Sequence, residues 1–334
     1  MIFQPAIIAL LLAAGLSLVM LLMAAPFAVQ VIRHWDIQSG SERQLKLERL
    51  TYLFSTLIAF VCAIQIAAAL LFVFTADKLA VMFVGAMCAV GALNVNAFGF
   101  PALFVQLALF FLASIWLAIN HADSHARDYP LVKLKYALLL AAIPLFALSL
   151  WLQARYFLGL KADVITSCCG SLFSESSASV ASEVAALEAK PAMLLFYGAL
   201  LAAIALSFWH QRRRDDWSGL ATALAALLAF LASLAGILSF VSLYVYEHPH
   251  HHCPFCLLKP EYGYQGYALY LPLFAATAAG LASGVLRFFS RRPSLASIVP
   301  RLSGRLARFA AIGYGLFALI ATWMIGRSNL ILFA

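Results

Sequence analysis

Charge is what this chain has least of. Of its 334 residues 14 are acidic and 22 basic, a charged fraction of 11%. A soluble domain carries about 25%. With 64% hydrophobic residues and a mean hydropathy of +0.94, a water-facing globular fold is excluded. Long polar stretches are missing too, and with them any separate soluble domain; internal repeats are also lacking. Basic residues are missing ahead of the first apolar run. That run is also too long for a secretory signal, so it reads as a retained helix. The cysteine and histidine spacing lacks a zinc-finger pattern.

What remains is apolar sequence in lengths that suit a bilayer. Runs recur near residues 5–32, 50–75, 100–120, 131–155, 191–210, 218–245, 264–288 and 308–326. A span needs about 20 such residues. The expected fold is all-α, a polytopic transmembrane bundle of about eight spans forming one integral membrane domain over 1–334. Residues 79–99 carry Gly85, Gly91, Asn94, Asn96 and Gly99 just ahead of Pro101, a composition suited to irregular backbone buried in protein. A re-entrant segment is expected there.

Basic residues orient the bundle. Sixteen of the 22 fall in four clusters: Arg33–Arg49, Arg127–Lys135, Arg212–Arg214 and Arg287–Arg308. Positive charge marks the cytoplasmic side. The loops at 158–190 and 246–263 are therefore expected to face outward from a bacterial inner membrane. The net charge of +8 is explained by topology and anionic lipid, so the bilayer is the expected partner and nucleic acid is not. Within the first loop, Val180, Val184 and Leu187 suggest a short amphipathic helix. Residues 289–307 mix basic and apolar positions, as in an inner interfacial segment.

Sulfur is sparse but not scattered. Four of the six cysteines fall in the two outward loops, Cys168–Cys169 in "SCCG" and Cys253 and Cys256 in "HPHHHCPFC". A CxxC closes a small disulfide ring, and a nearby positive charge or helix N-terminus activates one of its thiols. Pro254 suits a first helical position, which would put Cys253 near a cap. The histidine run would make Cys253 the accessible thiol and turn Cys256 to the bundle. Adjacent cysteines bond to each other only through a strained ring, and strain makes a disulfide reducible.

Two chemistries fit. One is thiol–disulfide exchange through Cys253, Cys256, Cys168 and Cys169, with a periplasmic thioredoxin-like protein as partner. The other is soft-metal binding, delivery or transport, with those four cysteines and His250, His251 and His252 as ligands for copper or zinc and a metal-carrying protein as partner. A structural role in a larger complex is the third reading. Cys62 and Cys88 read as small buried apolar residues.

The outward CPFC before a span, with a second outer cysteine pair, resembles the vitamin K epoxide reductase family and the bacterial quinone-coupled disulfide-bond oxidases. The likeness covers these two motifs. It implies that Cys253 and Cys256 exchange electrons with a quinone and that Cys168 and Cys169 serve as the shuttle pair. A quinone would find Tyr264, Tyr267 and Arg155 as candidate contacts. Those families are four-helix bundles, and their shuttle cysteines are usually separated. The adjacent pair also resembles the vicinal cysteines of mercuric-ion transporters.

Overall fold

The computed structural model describes residues 4–161, 164–166 and 187–332. Eight helical stretches in it are long and apolar enough to cross a bilayer, so this is an all-α, multi-pass membrane protein. The elements are α1 (Pro5–His34), α2 (Glu42–Leu79), α3 (Ala89–Leu93), α4 (Gly99–Ser124), α5 (Val132–Leu158), α6 (Ala189–Arg213) and α7 (Asp216–Gly236). A π-helical turn, Ile237–Val241, joins α7 to α8 (Ser242–Tyr246). Then follow α9 (Gln265–Arg287) and α10 (Val299–Arg327). Helix is forced by the solvent: in hydrocarbon every backbone N–H and C=O must be satisfied within the segment. Pro26, Pro144 and Pro272 sit inside helices, which membrane bundles tolerate because neighbours re-satisfy the freed carbonyls.

The segment expected to be irregular holds only a 3-10 turn, Ala80–Met82, and the five-residue α3 before α4 begins. It is too short in helix to cross a bilayer by itself. The interfacial segment expected at 289–307 holds a 3-10 turn, Pro293–Leu295, and the first turns of α10.

The chain packs as two compact units. The first comprises Met1–Thr75, Asn96–Leu160 and Phe289–Pro300. Its core joins α1 to α5 and α4 to α5. Phe27 stacks on Phe54 at 4.5 Å and meets Tyr136 edge-on at 5.4 Å. A buried ion pair ties the α4–α5 hairpin: Lys135 Nζ lies 2.8 Å from Asp123 Oδ2, with both side chains at most 1% exposed. Asp123 Oδ1 also accepts the Leu131 N–H at 2.7 Å. A charge pair at this depth persists only because each partner is held by the other and by further hydrogen bonds.

The second unit comprises Ala76–Val95, Lys161–Phe288 and Arg301–Ala334. Here α7 packs against α6 and α9. Small residues allow the approach: Gly280 of α9 faces Ala226 of α7, and Gly284 faces Ala223 and the Gly219 carbonyl. The Tyr314 hydroxyl donates to the Ala226 carbonyl at 2.8 Å, adding α10. Asp215 caps α7 by accepting the Ser218 N–H, and the Ser218 hydrogen bonds hold its carboxyl below the usual carboxylate range.

Candidate functional site

Three cysteines of the second unit meet. The sulfurs of Cys88, Cys253 and Cys256 all lie within 4.8 Å of one another, and Cys88 Sγ is 3.3 Å from Cys253 Sγ. All three residues are buried, at 0%, 0% and 4% exposure. Two irregular segments bring them together.

The first segment carries Cys88. After α2 ends, the chain turns at Gly85, whose φ of +87° is a conformation that glycine adopts without strain. A side chain at Gly85 would also strike the Thr166 carbonyl. This close approach makes a clasp. Val84 forms a β-bridge with Ile165, Thr166 donates its N–H to the Val84 carbonyl at 3.0 Å, and its hydroxyl donates to the Gly91 carbonyl at 3.1 Å. The clasp fixes the stretch on both sides of Cys88, which stands extended at the start of α3 (φ −153°, ψ −176°). Thr166 is the last described residue before Cys168 and Cys169, and those two lie outside the described residues.

The second segment carries the CPFC. Its helical element is a 3-10 turn, Cys256–Leu258. The sequence-based expectation of a helix starting at Pro254 is therefore corrected, and no helix N-terminus caps Cys253. Two tyrosines hold the loop instead. The Tyr246 hydroxyl donates to the Cys253 carbonyl, and the Tyr270 hydroxyl donates to the Pro254 carbonyl at 2.7 Å. Gly266 lets α9 come up beneath the turn; a Cβ there would stand 2.9 Å from the Leu257 carbonyl carbon. Lys259 ties the loop to the end of α2, its Nζ 3.3 Å from Asp77 Oδ1.

The expected division of labour inside the CPFC fails. Cys253 is the more deeply buried cysteine, not the accessible one. It follows a histidine run whose first members are exposed, but its side chain turns inward to meet Cys88. That position is set by the clasp and the tyrosine pair, which local sequence polarity does not report.

The histidines stand apart from the sulfurs. Among the described residues the cluster includes no histidine or carboxylate. His248 and His250 are exposed, and the His250 N–H points to His248 Nδ1 at 3.3 Å. His251 packs its ring 4.2 Å from that of Tyr246. His252 Nδ1 is 2.8 Å from the Leu238 carbonyl, in the π-helical turn.

The residues expected to contact a quinone fall in both units. Arg155 belongs to the first unit, where its guanidinium lies over the Phe98 ring at 4.9 Å. Tyr264 and Tyr267 stand at the head of α9 in the second unit, their rings 6.2 Å apart. The tyrosines engaged with the CPFC backbone are Tyr246 and Tyr270.

Cys88 is the member that sequence reasoning assigned to packing. The signal pointing to it was its position in the one apolar stretch too rich in glycine and asparagine to be a plain span. Three buried sulfurs can bind a soft cation together, or exchange one disulfide among themselves. No family model, curated protein or solved structure matches this chain.

Proposed function

We propose that this protein binds a soft metal ion, copper(I), through the thiolates of Cys88, Cys253 and Cys256, and that it serves metal delivery or transport. The observation that carries this reading is the convergence of three buried sulfurs from two segments distant in the chain. A metal about 2.3 Å from each of three sulfurs in one plane holds them about 4.0 Å apart. Here one pair lies at 3.3 Å and all three sulfurs lie within 4.8 Å of one another, close enough to share one ion. Thiolates suit soft ions, copper(I) and zinc among them. Structural zinc takes four ligands, and the described residues bring no fourth donor to the cluster. Burial disfavours exchange with a protein partner, because a thiol must be reachable to attack a foreign disulfide. Binding displaces the thiol protons.

Thiol–disulfide exchange is the second reading, and the 3.3 Å contact between Cys88 and Cys253 favours it. Cys253 would be shared between two alternative disulfides, one with Cys256 and one with Cys88. The adjacent pair Cys168–Cys169 would then connect this relay to a thioredoxin-like partner. The likeness to the quinone-coupled oxidases belongs to this reading. On either reading the charge asymmetry turns the cysteine loops outward from the inner membrane.

Anaerobic purification followed by metal analysis and thiol counting separates the two. Near-stoichiometric copper, lost in both Cys88→Ser and Cys253→Ser, is the expected result. A metal-free protein showing a reversible two-electron titration, with a Cys88–Cys253 crosslink in its oxidised form, would replace the copper reading with exchange. An impermeant maleimide added to intact cells should label Cys168 and Cys169 once they are reduced. Labelling confined to permeabilised cells would reverse the proposed orientation.

A further inference from the structure

We infer that His252 is the entry ligand of this site, capturing the ion outside the sulfur cluster and passing it to Cys253. The inference rests on the copper reading and adds a second station to it. Its first support is a gradient of burial along consecutive residues. His248 and His250 are exposed, His251 and His252 are half-buried, and Cys253 is fully buried. An ion arriving from water meets imidazole first and sulfur last.

The second support is the ring of His252. Its Nδ1 lies 2.8 Å from the Leu238 carbonyl. A carbonyl only accepts, so Nδ1 carries the proton and Nε2 of the neutral ring presents the lone pair. A backbone carbonyl that fixes the tautomer of an imidazole is the usual outer partner of a metal-ligating histidine. The carbonyl comes from the π-helical turn Ile237–Val241, where it also accepts the Ser242 hydroxyl at 3.4 Å. Single π turns within α-helices are frequent at functional sites.

The third support is what the cluster leaves out. His252 directly precedes Cys253, with Cα atoms about 3.8 Å apart, yet it is not among the groups that converge on the sulfurs. Adjacent in sequence but outside the cluster, it suits transfer rather than permanent ligation. In the transfer step the Nε2–copper(I) bond breaks as the Cys253 sulfur–copper(I) bond forms. The thiol proton leaves to solvent, and copper stays in the +1 state throughout.

The test is stopped-flow loading of the full-length protein in detergent, under anaerobic conditions, from a copper(I)–bicinchoninate complex. In His252→Gln the loading and release rates should both fall, and by the same factor. The equilibrium affinity should hold. His252→Met, which restores a soft donor, should recover the rates. Unchanged rates in His252→Gln would overturn the entry role. An affinity that falls together with the loading rate would overturn it too, by making His252 a ligand of the sulfur site itself. Failure of the underlying reading has a different signature: wild type takes up no copper(I), or Cys88→Ser binds as tightly as wild type.

Discussion

Cys62 and Cys88 make an instructive pair, one in each unit. Both lie in apolar sequence and both are buried, at 6% and 0% exposure. Cys62 sits mid-way along α2, where it lines a small apolar cavity with Leu21, Ile58, Trp116, Leu139 and Phe146. Cys88 sits where regular helix has stopped, and it meets two other sulfurs. A cysteine on a continuous helix is surrounded by whatever the apolar stripe packs against. A cysteine on irregular backbone can be aimed, because turns and cross-chain hydrogen bonds set its direction.

The largest effect should come from separating these two positions. Cys88→Ser should strip copper from the purified protein, whereas Cys62→Ala should keep it, both read by metal analysis after anaerobic purification. Equal retention in the two variants would break the comparison.

The buried ion pairs extend it. Asp123–Lys135 closes a local hairpin in the first unit, while Asp77–Lys259 joins distant segments beside the cysteine loop in the second. Asp123→Ala leaves a lysine that is 1% exposed without its carboxylate, which should cost about 3–5 kcal/mol of stability. That loss should be visible as an earlier unfolding transition in detergent, with copper stoichiometry retained in the folded fraction. Copper loss from folded Asp123→Ala protein would show that the division between structural and functional pairs is wrong.

The smallest effect separates two hydrogen-bonded tyrosines. Tyr270→Phe removes a hydrogen bond to the CPFC backbone, worth about 1 kcal/mol, and should weaken copper(I) binding by about fivefold in a competitive chelator titration. Tyr136→Phe removes hydrogen bonds to Ser55 and the Thr51 carbonyl in the first unit. It should lower stability by a similar amount and leave the titration unchanged. Matching shifts in affinity would mean that Tyr270 acts on stability alone.

Most of the fold was legible from one dimension. Apolar runs of bilayer length became spanning helices, because hydrocarbon admits no other backbone arrangement for an isolated segment. The non-spanning stretch after α2 was legible from Gly85, Gly91, Asn94 and Asn96, residues that irregular backbone favours. The site was legible in part. The CPFC marked one half of it. Cys88 looked like packing because no second cysteine or histidine stands near it in the sequence. The histidines looked like ligands of the same centre because they adjoin Cys253, yet adjacency along a chain says little about side-chain direction in a loop.

What the sequence determined by itself was therefore the solvent of the protein and the class of its elements, since burial in lipid depends on composition and run length alone. Only the tertiary structure decided which sulfurs meet. Cys88 and Cys253 are 165 residues apart. Their 3.3 Å approach depends on a clasp from Thr166, a tyrosine pair from α8 and α9, and a glycine under the loop. The clasp joins segments 75 residues apart, and the tyrosine and glycine contacts each join a helix to the cysteine loop. Such contacts arise only once the helices have packed, so no local pattern carries them.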